Sequence, residues 1–153
     1  MPCGRTRVTH RVPKIPMAKV RSYSELRLIR SFEERFDYLM LHGLVGHSTF
    51  GFDRWINQQF YRSRSWRDAR DRVLVRDFGC DLGLVGYDIH VNPIIHHMNP
   101  MTPDDILEGK EWILDPEYLI TTSPCTHNAI HFGDASLLPS LPVERMPGDT
   151  TLW

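Results

Sequence analysis

The fold of this chain is decided by two short segments, Ile94-Ile95-His96-His97-Met98-Asn99-Pro100 and Cys125-Thr126-His127-Asn128-Ala129-Ile130-His131. The first is typical of a short strand and the second of a helix. On a helix, His127 and His131 lie on one face, which suits the chelation of a single divalent ion. Histidines at this spacing also occur by chance on surfaces and in cores, so the pair by itself does not define a metal site.

The neighbouring histidines at positions 96 and 97 add a constraint. Successive residues of a strand point to opposite faces, so His96 and His97 do not readily bind the same ion. One of them can join His127 and His131 at a metal, while the other can contact a water molecule on the opposite face of the strand. That division provides three neutral imidazole ligands and one imidazole base, with coordination positions left for phosphate and water. The alternative is that one of the two is a core histidine bonded to the backbone.

Bulk properties limit the class of protein. A chain of 153 residues is long enough for one domain with one buried core. No apolar run resembles a signal-peptide core or a membrane span, which predicts a cytoplasmic protein with no membrane partner. Cys3, Cys80 and Cys125 form no CxxC pair, so reduced, buried thiols are expected instead of a disulfide framework or a zinc ribbon.

Charge is unevenly distributed along the chain. The formal net charge is −1, so the overall charge indicates no nucleic-acid partner. Residues 1–21, however, carry Arg and Lys without any Asp or Glu, which predicts a basic flexible arm. Residues 62–76 are also rich in arginine, with Asp68 and Asp71 between them. Either a solvated helix face with internal ion pairs or a surface that contacts phosphates explains this second segment.

The remaining pattern predicts helices, a hairpin and an extended end. An apolar stripe of Leu28, Phe32, Phe36 and Leu39 predicts a helix over residues 25–40 that Ser24 caps. The other expected elements are helices over residues 52–60 and 65–75, a β-hairpin from residues 87–91 and 94–98, helix starts at Thr102-Pro103 and Asp115-Pro116, a last helix from about Thr126, and an extended tail beyond Asp134.

Several segments resemble the HNH, or ββα-metal, nucleases. Residues 95–100 match the family's strand motif of His-His, an apolar residue, any residue and then Pro. Residues 118–131 match the closing helix, and residues 65–83 are similar to the lead-in to the family's hairpin. The resemblance covers residues 65–134, and residues 32–36 and 49–54 are similar to small HNH proteins of tailed bacteriophages.

The resemblance implies an α+β fold with a ββα-metal core, made of a short β-hairpin and a metal-binding helix, with N-terminal helices and extended tails. The implied regions are a basic flexible arm (1–22), an N-terminal helical region (23–64), an HNH nuclease core (65–136) and a C-terminal tail (137–153). His96, His127 and His131 would bind one divalent ion, either Mg²⁺, Mn²⁺, Zn²⁺ or Ni²⁺. His97 would be the general base of a phosphodiester hydrolysis.

DNA is the substrate that the resemblance implies, and phage packaging or virion proteins are possible further partners. The arginines expected to contact DNA are Arg62, Arg64, Arg67, Arg70 and Arg76. Two other functions are compatible with the same residues. One is a DNA-binding or packaging accessory that keeps the fold and cleaves slowly or not at all. The other is a structural component of a phage particle that uses a histidine-bound ion as a staple.

The sequence departs from the family pattern in two places. Many members have Asn immediately before the Leu that leads into the last helix, whereas this chain has Tyr118, and Asn99 or Asp115 is expected to tie the loop instead. The paired cysteines of zinc-stapled members are also missing, because Cys80 stands alone and Ser123 and Thr126 occupy other expected positions. The fold is therefore expected to rest on the N-terminal helices and not on a structural zinc.

Overall fold

The structure, a computed structural model, describes residues 19–41, 54–84, 87–89 and 91–138, which form a mixed α+β fold. The helices are α1 (Tyr23–Leu26), α2 (Phe32–Leu39), α3 (Arg54–Arg62), α4 (Arg64–Arg76), α5 (Pro103–Leu107) and α6 (Pro124–Phe132). The strands are β1 (Cys80–Asp81), β2 (Tyr87–Asp88), β3 (Ile94–His97) and β4 (Leu119–Thr122), and short 3-10 turns cover Glu111–Leu114, Pro116–Tyr118 and Ala135–Leu137. In this part of the chain no helix is long and apolar enough to cross a membrane.

The single helix predicted over residues 25–40 is wrong, because the chain forms two helices there. Ser22 and Ser31 each cap one of them by accepting a hydrogen bond from the backbone N–H three residues later. Leu28, which the apolar stripe placed in the core, is 76% exposed between the two helices. The local hydrogen bond at Ser31 thus interrupts a pattern that apolar spacing alone would continue.

The predicted hairpin of residues 87–91 and 94–98 is also wrong. β2 pairs with β1, and β3 pairs antiparallel with β4, with His96 opposite Ile120 and His97 opposite Leu119. β4 follows the turn at Pro116–Tyr118, where Asp115-Pro116 had predicted a helix start and the chain forms one 3-10 turn instead. All four residues of β4 are buried. The partner of β3 is therefore a buried strand that lies later in the chain, and not the preceding segment of residues 87–91.

The later helices agree more closely with the sequence. α4 extends one residue beyond the predicted bounds at each end, and α5 begins at Thr102-Pro103 with a complete capping box. α6 starts two residues earlier than expected because Ser123 caps it, and it ends at Gly133 in the left-handed region with φ 67°. Cys80 and Cys125 are free thiols, but their predicted burial is wrong, because Cys80 is partly exposed and Cys125 is exposed. Cys3 lies outside the described residues.

The β3–β4 pair separates two apolar clusters. On one face lie Phe60, Trp66, Ala69, Val73, Ile95, Ile113 and Leu119, and on the other lie Leu26, Leu39, Leu41, Met98, Ile120 and Ile130. α3 contributes Phe60 to the first cluster together with residues of α4, and α1 and α2 contribute Leu26 and Leu39 to the second. The first cluster therefore spans the predicted boundary between residues 64 and 65. By strand alternation, His96 faces α6 and His97 faces α4.

The predicted arm and tail fall mostly outside the described residues, which exclude 1–18 and 139–153. The last residues of the predicted arm belong to the folded body. Asn99 pairs with the backbone of Arg21 through both its oxygen and its nitrogen, at 2.8 and 2.9 Å. The Arg21 guanidinium donates to the carbonyl oxygens of Tyr38 and Met40. Arg21, which was predicted to belong to the flexible arm of residues 1–22, is therefore bonded into the fold.

Candidate metal centre

Three histidines from two elements meet beside the sheet. His96 comes from β3, and His127 and His131 come from successive turns of α6. Each offers one ring nitrogen, and these nitrogens all lie within 4.8 Å of one another. The Nε2 atoms of His127 and His131 are 3.1 Å apart. True ligands of one ion, at about 2 Å each, lie within about 4 Å of one another, so side-chain shifts of less than about 1 Å would complete a shared site.

Burial keeps these rings neutral. It lowers the pKa of His96 well below its usual range and that of His131 to about 4, and the neighbouring histidines push in the same direction. The pKa of His127 is also lowered by burial. Neutral imidazoles are the form that binds a metal, because the ligand nitrogen must carry a free lone pair.

His96 carries an unusual buried atom. Its side chain is 2% exposed, and its Nε2 has no hydrogen-bond partner among the described residues. Buried polar atoms without a partner are rare because they lose the hydrogen bonds that water would give. A divalent ion held jointly with His127 and His131 would satisfy this nitrogen, so the three histidines fit such an ion.

His97 lies on the other face of β3 in an aromatic setting. Its ring stacks on Trp66 with 5.2 Å between centroids and an interplanar angle of 17°. Its Nε2 is 2.9 Å from the carbonyl oxygen of Ile113. Because a carbonyl oxygen can only accept, Nε2 must carry the proton, and a neutral ring then has its lone pair on Nδ1. Burial lowers the pKa of His97 to about 4, which keeps the ring neutral at pH 7.

A cleft of about 250 Å³ connects the four histidines. His97 lines it together with His96, His127 and His131, so the two faces of β3 reach the same cleft at the end of the strand. No described residue hydrogen bonds to Nδ1 of His97. Asn57 and Tyr61, one helical turn apart on α3, line the cleft opposite the histidines. The geometry therefore places three ring nitrogens that could hold a metal ion, and one oriented proton acceptor, around one space.

Four of the five arginines predicted to contact DNA have side chains that are at least partly exposed to solvent. Arg62, Arg64 and Arg67 are exposed, and Arg70 is 40% exposed beside Asp71 at 3.3 Å. Arg64 lies 3.8 Å from Asp68 in an i,i+4 pair, with its side chain 90% exposed. Surface pairs of this kind contribute little to stability, so they leave these guanidinium groups available to a phosphate.

Arg76 is different, because its guanidinium is used within the fold and is not free for the predicted contact with DNA. Its guanidinium binds the buried carboxylate of Asp77 and donates to the carbonyl oxygens of Pro116 and Leu119 at 2.6 and 2.7 Å. It also lies over the ring of Tyr23, 3.7 Å from the centroid. Arg76 therefore joins α4 to the start of β4 and has no free face for a phosphate.

Of the three residues expected to position the loop, Asp115 and Tyr118 make contacts beside β4 and Asn99 does not. Asp115 accepts a hydrogen bond from the backbone of Glu117 and caps the 3-10 turn before β4. Tyr118 accepts at its carbonyl oxygen from the backbone N–H of Met98, 3.0 Å away, which extends the β3–β4 ladder. Asn99 binds Arg21 and so holds the N-terminal segment, not the loop that leads into α6.

Two acidic residues that the sequence did not single out hold that loop. Asp77 accepts from the backbone N–H of Thr121, and Asp81 accepts from those of Ser123 and Gly83. Both carboxylates are buried. Their partners are 44 and 42 residues further along the chain, so no local pattern could have identified them. The two aspartates fix β4 and the start of α6, and through α6 they position His127 and His131.

Comparison of the chain with protein-family models, curated proteins and solved structures gave no match. The functional assignment therefore has to come from the chemistry of the site itself.

Proposed function

We propose that this chain is a metal-dependent endonuclease that hydrolyses phosphodiester bonds of DNA, with the ββα-metal core of the HNH nucleases. The observation that carries the proposal is the convergence of His96, His127 and His131 on a cleft that His97 also lines. The chain order of β3, β4 and α6, with one histidine on the strand and two on the helix, supports the same core.

His96, His127 and His131 are the residues that would hold the ion. Their nitrogen donors favour Zn²⁺, Ni²⁺ and related ions in raw affinity. Mg²⁺ or Mn²⁺ would be held more weakly and would therefore release the product more readily. A bound ion would polarise the scissile phosphate and neutralise the charge that grows on it during attack. Three protein ligands leave coordination positions open for phosphate and water.

His97 is the proton acceptor in this proposal. The Ile113 carbonyl fixes the tautomer by binding Nε2–H, and the stacked Trp66 holds the plane of the ring. Nδ1 then takes a proton from a water molecule while the water oxygen bonds to phosphorus. The bond between phosphorus and the 3′ oxygen breaks, and the departing oxygen takes its proton from solvent. The products are a 5′ phosphate and a 3′ hydroxyl.

The arginines of α3 and α4 are proposed to bind the DNA backbone. Arg62, Arg64 and Arg67 are exposed cations on neighbouring helices, and contacts to phosphate are independent of base sequence. The basic segment of residues 1–18 would add to this attraction. Arg76 is excluded from the set because it is used inside the fold.

A plasmid-nicking assay tests the proposal. The wild-type protein should convert supercoiled plasmid to relaxed or linear forms with Mg²⁺, Mn²⁺ or Ni²⁺, and a chelator should stop it. The His97→Ala variant should lose about 10²–10⁴-fold in rate, the usual contribution of a general base. Its affinity for the ion should remain that of the wild type, because His97 is not a ligand.

The control is Cys125→Ser, an exposed side chain on α6 that should leave cleavage unchanged. DNA binding without cleavage under any of these ions would favour a non-catalytic accessory. Loss of metal affinity in His97→Ala as large as in His96→Ala would reverse the assigned roles.

A further inference from the structure

A second cavity adjoins the metal cleft. It measures about 410 Å³ and shares Asn99 and Pro100 with the lining of the cleft. That volume lies within the range of about 300–1,000 Å³ that small-molecule sites occupy. The two spaces are therefore neighbours at the turn that follows β3.

Two aromatic rings line this second cavity. Trp112 and Tyr118 have centroids 6.3 Å apart and planes at 82°, so they form a corner. Both are half-buried, and Val20 and Pro100 complete the apolar lining. Trp112 also meets the ring of His97 edge-on, with 6.5 Å between centroids. A flat ligand in the corner would thus lie one side chain away from the proposed base.

The polar groups around the cavity limit what the ligand can be. The Asn99 amide bonds the Arg21 backbone, and the Arg21 guanidinium donates through Nε and Nη2 to the carbonyl oxygens of Tyr38 and Met40, so most of their bonding groups are used within the fold. Lys19 is 70% exposed at the rim and forms a surface pair with Glu25 at 3.2 Å. Such a pair is weak and can open for an anion. The cavity therefore suits a flat apolar ring that carries a phosphate.

We infer that this cavity, the aromatic pocket, takes an unpaired nucleobase next to the scissile phosphate, so that the nuclease prefers single-stranded or frayed DNA. The inference rests on the proposed function. A base within a duplex is stacked on both faces, so only an unpaired base can enter a corner of this kind. Stacking on aromatic side chains tolerates every base, so binding is independent of sequence. This gives Tyr118 a role at the position where many HNH members have Asn.

Fluorescence anisotropy with a short labelled DNA tests the inference. The DNA is offered as a single strand and as a duplex of the same sequence, with a chelator present so that nothing is cleaved. The wild type should bind the single strand more tightly. Tyr118→Leu should lose about 5- to 100-fold in affinity for the single strand, the scale of one base–aromatic stack, and little for the duplex. Tyr118→Phe keeps the ring and should bind like the wild type.

Two further variants keep the test decisive. Val20→Glu puts a carboxylate in the pocket at a residue that is 64% exposed, and it should weaken single-strand binding even where Tyr118→Leu does not fold. Trp55→Leu removes a half-exposed ring that does not line the pocket and should change nothing. Equal or tighter binding of the duplex by the wild type would overturn the inference, and so would full single-strand affinity in Val20→Glu.

Cleavage, measured separately with Mn²⁺, distinguishes this inference from the proposed function. If the wild type cleaves but shows no preference for single strands, the aromatic pocket has been wrongly assigned and the nuclease assignment stands. If it binds single strands with the expected variant pattern and cleaves nothing, the nuclease assignment fails and the pocket stands.

Discussion

At the scale of single residues, neighbouring side chains of one type have different environments and so different chemistry. His96 is fully enclosed beside α6 with an unpartnered Nε2, whereas His97 is held by a carbonyl oxygen and an indole ring on the other face of β3. Arginines of α4 divide in the same way, because Arg64 is exposed and Arg76 binds a buried carboxylate. The residue type predicts the available chemistry, and the contacts decide which role is used.

Arg64 and Arg76 form a matched pair for mutation. Arg76→Ala should lower the free energy of unfolding by about 3–5 kcal/mol, because it leaves the Asp77 carboxylate buried without its cation. Arg64→Ala should change stability by no more than about 0.5 kcal/mol. It should instead reduce the salt dependence of DNA binding by about one phosphate contact. Urea unfolding and binding at several salt concentrations measure the two effects, and equal stability of the two variants would contradict the framework role of Arg76.

The histidines also predict how stability depends on pH in the metal-free protein. Folding lowers the pKa of His97 and of His131 from 6.5 to about 4, so the unfolded chain binds protons in this window and the folded chain does not. Their stabilising contribution is fully present above about pH 6.5 and is lost as the pH falls towards 4. For His97 it amounts to about 3 kcal/mol at most, since one pKa unit is worth about 1.4 kcal/mol.

Urea unfolding in a chelator between pH 7.5 and 4.5 tests this dependence. The wild type should lose stability steadily as the pH falls, and His97→Gln, which has nothing to protonate, should give a flatter curve. A wild-type stability that is constant over this range would contradict the lowered pKa values.

At the scale of elements, the junction of β4 and α6 is held by a buried carboxylate and its hydrogen bonds. Asp81 accepts from the backbone N–H groups of Gly83 and Ser123, and Ser123 in turn bonds Thr126. A Cβ on Gly83 would stand 2.5 Å from the side chain of Thr126, so the turn and the helix touch. The fold therefore relies on this network as well as on the N-terminal helices that the sequence had suggested.

Removal of the Asp81 carboxylate should loosen this junction. Asp81→Ala leaves two buried N–H groups without acceptors and should cost at least about 2 kcal/mol of unfolding free energy. Affinity for the metal should fall with it, because α6 supplies two of the three histidines. Asp88→Ala, an exposed carboxylate of β2, is the control for thermal denaturation and metal titration. Unchanged melting of Asp81→Ala would contradict the proposed network.

At the scale of the whole molecule, the sequence predicted local features well and long-range ones poorly. The strand at His96-His97, the helix with His127 and His131, and α4 all follow from apolar spacing and caps within a few residues. The pairing of β3 with β4 and the bonds of Asp77 and Asp81 join positions more than twenty residues apart, which local patterns do not encode. The apolar spacing predicted one continuous helix across Ser31, whereas this serine caps the start of a separate helix.

The candidate site was more predictable than the fold around it. Its ligands are marked by residue type and spacing, since a histidine doublet on a strand and an i,i+4 pair on a helix are both local. The carbonyl of Ile113 and the ring of Trp66, which orient His97, come from elsewhere in the chain and could not be assigned from spacing. A metal at this site would join the middle of the chain to its last helix and stabilise the whole fold by binding only the folded state.

Titration calorimetry with Mn²⁺, Ni²⁺ or Zn²⁺ tests most directly whether His96, His127 and His131 share one ion. The wild type should bind one ion per chain, and His96→Ala, His127→Ala and His131→Ala should each lose most of that affinity. Cys125→Ser, an exposed neighbour on the same helix, should bind like the wild type. Undiminished one-to-one binding in His96→Ala would contradict the shared site, because His96 is the residue by which β3 joins the two histidines of α6.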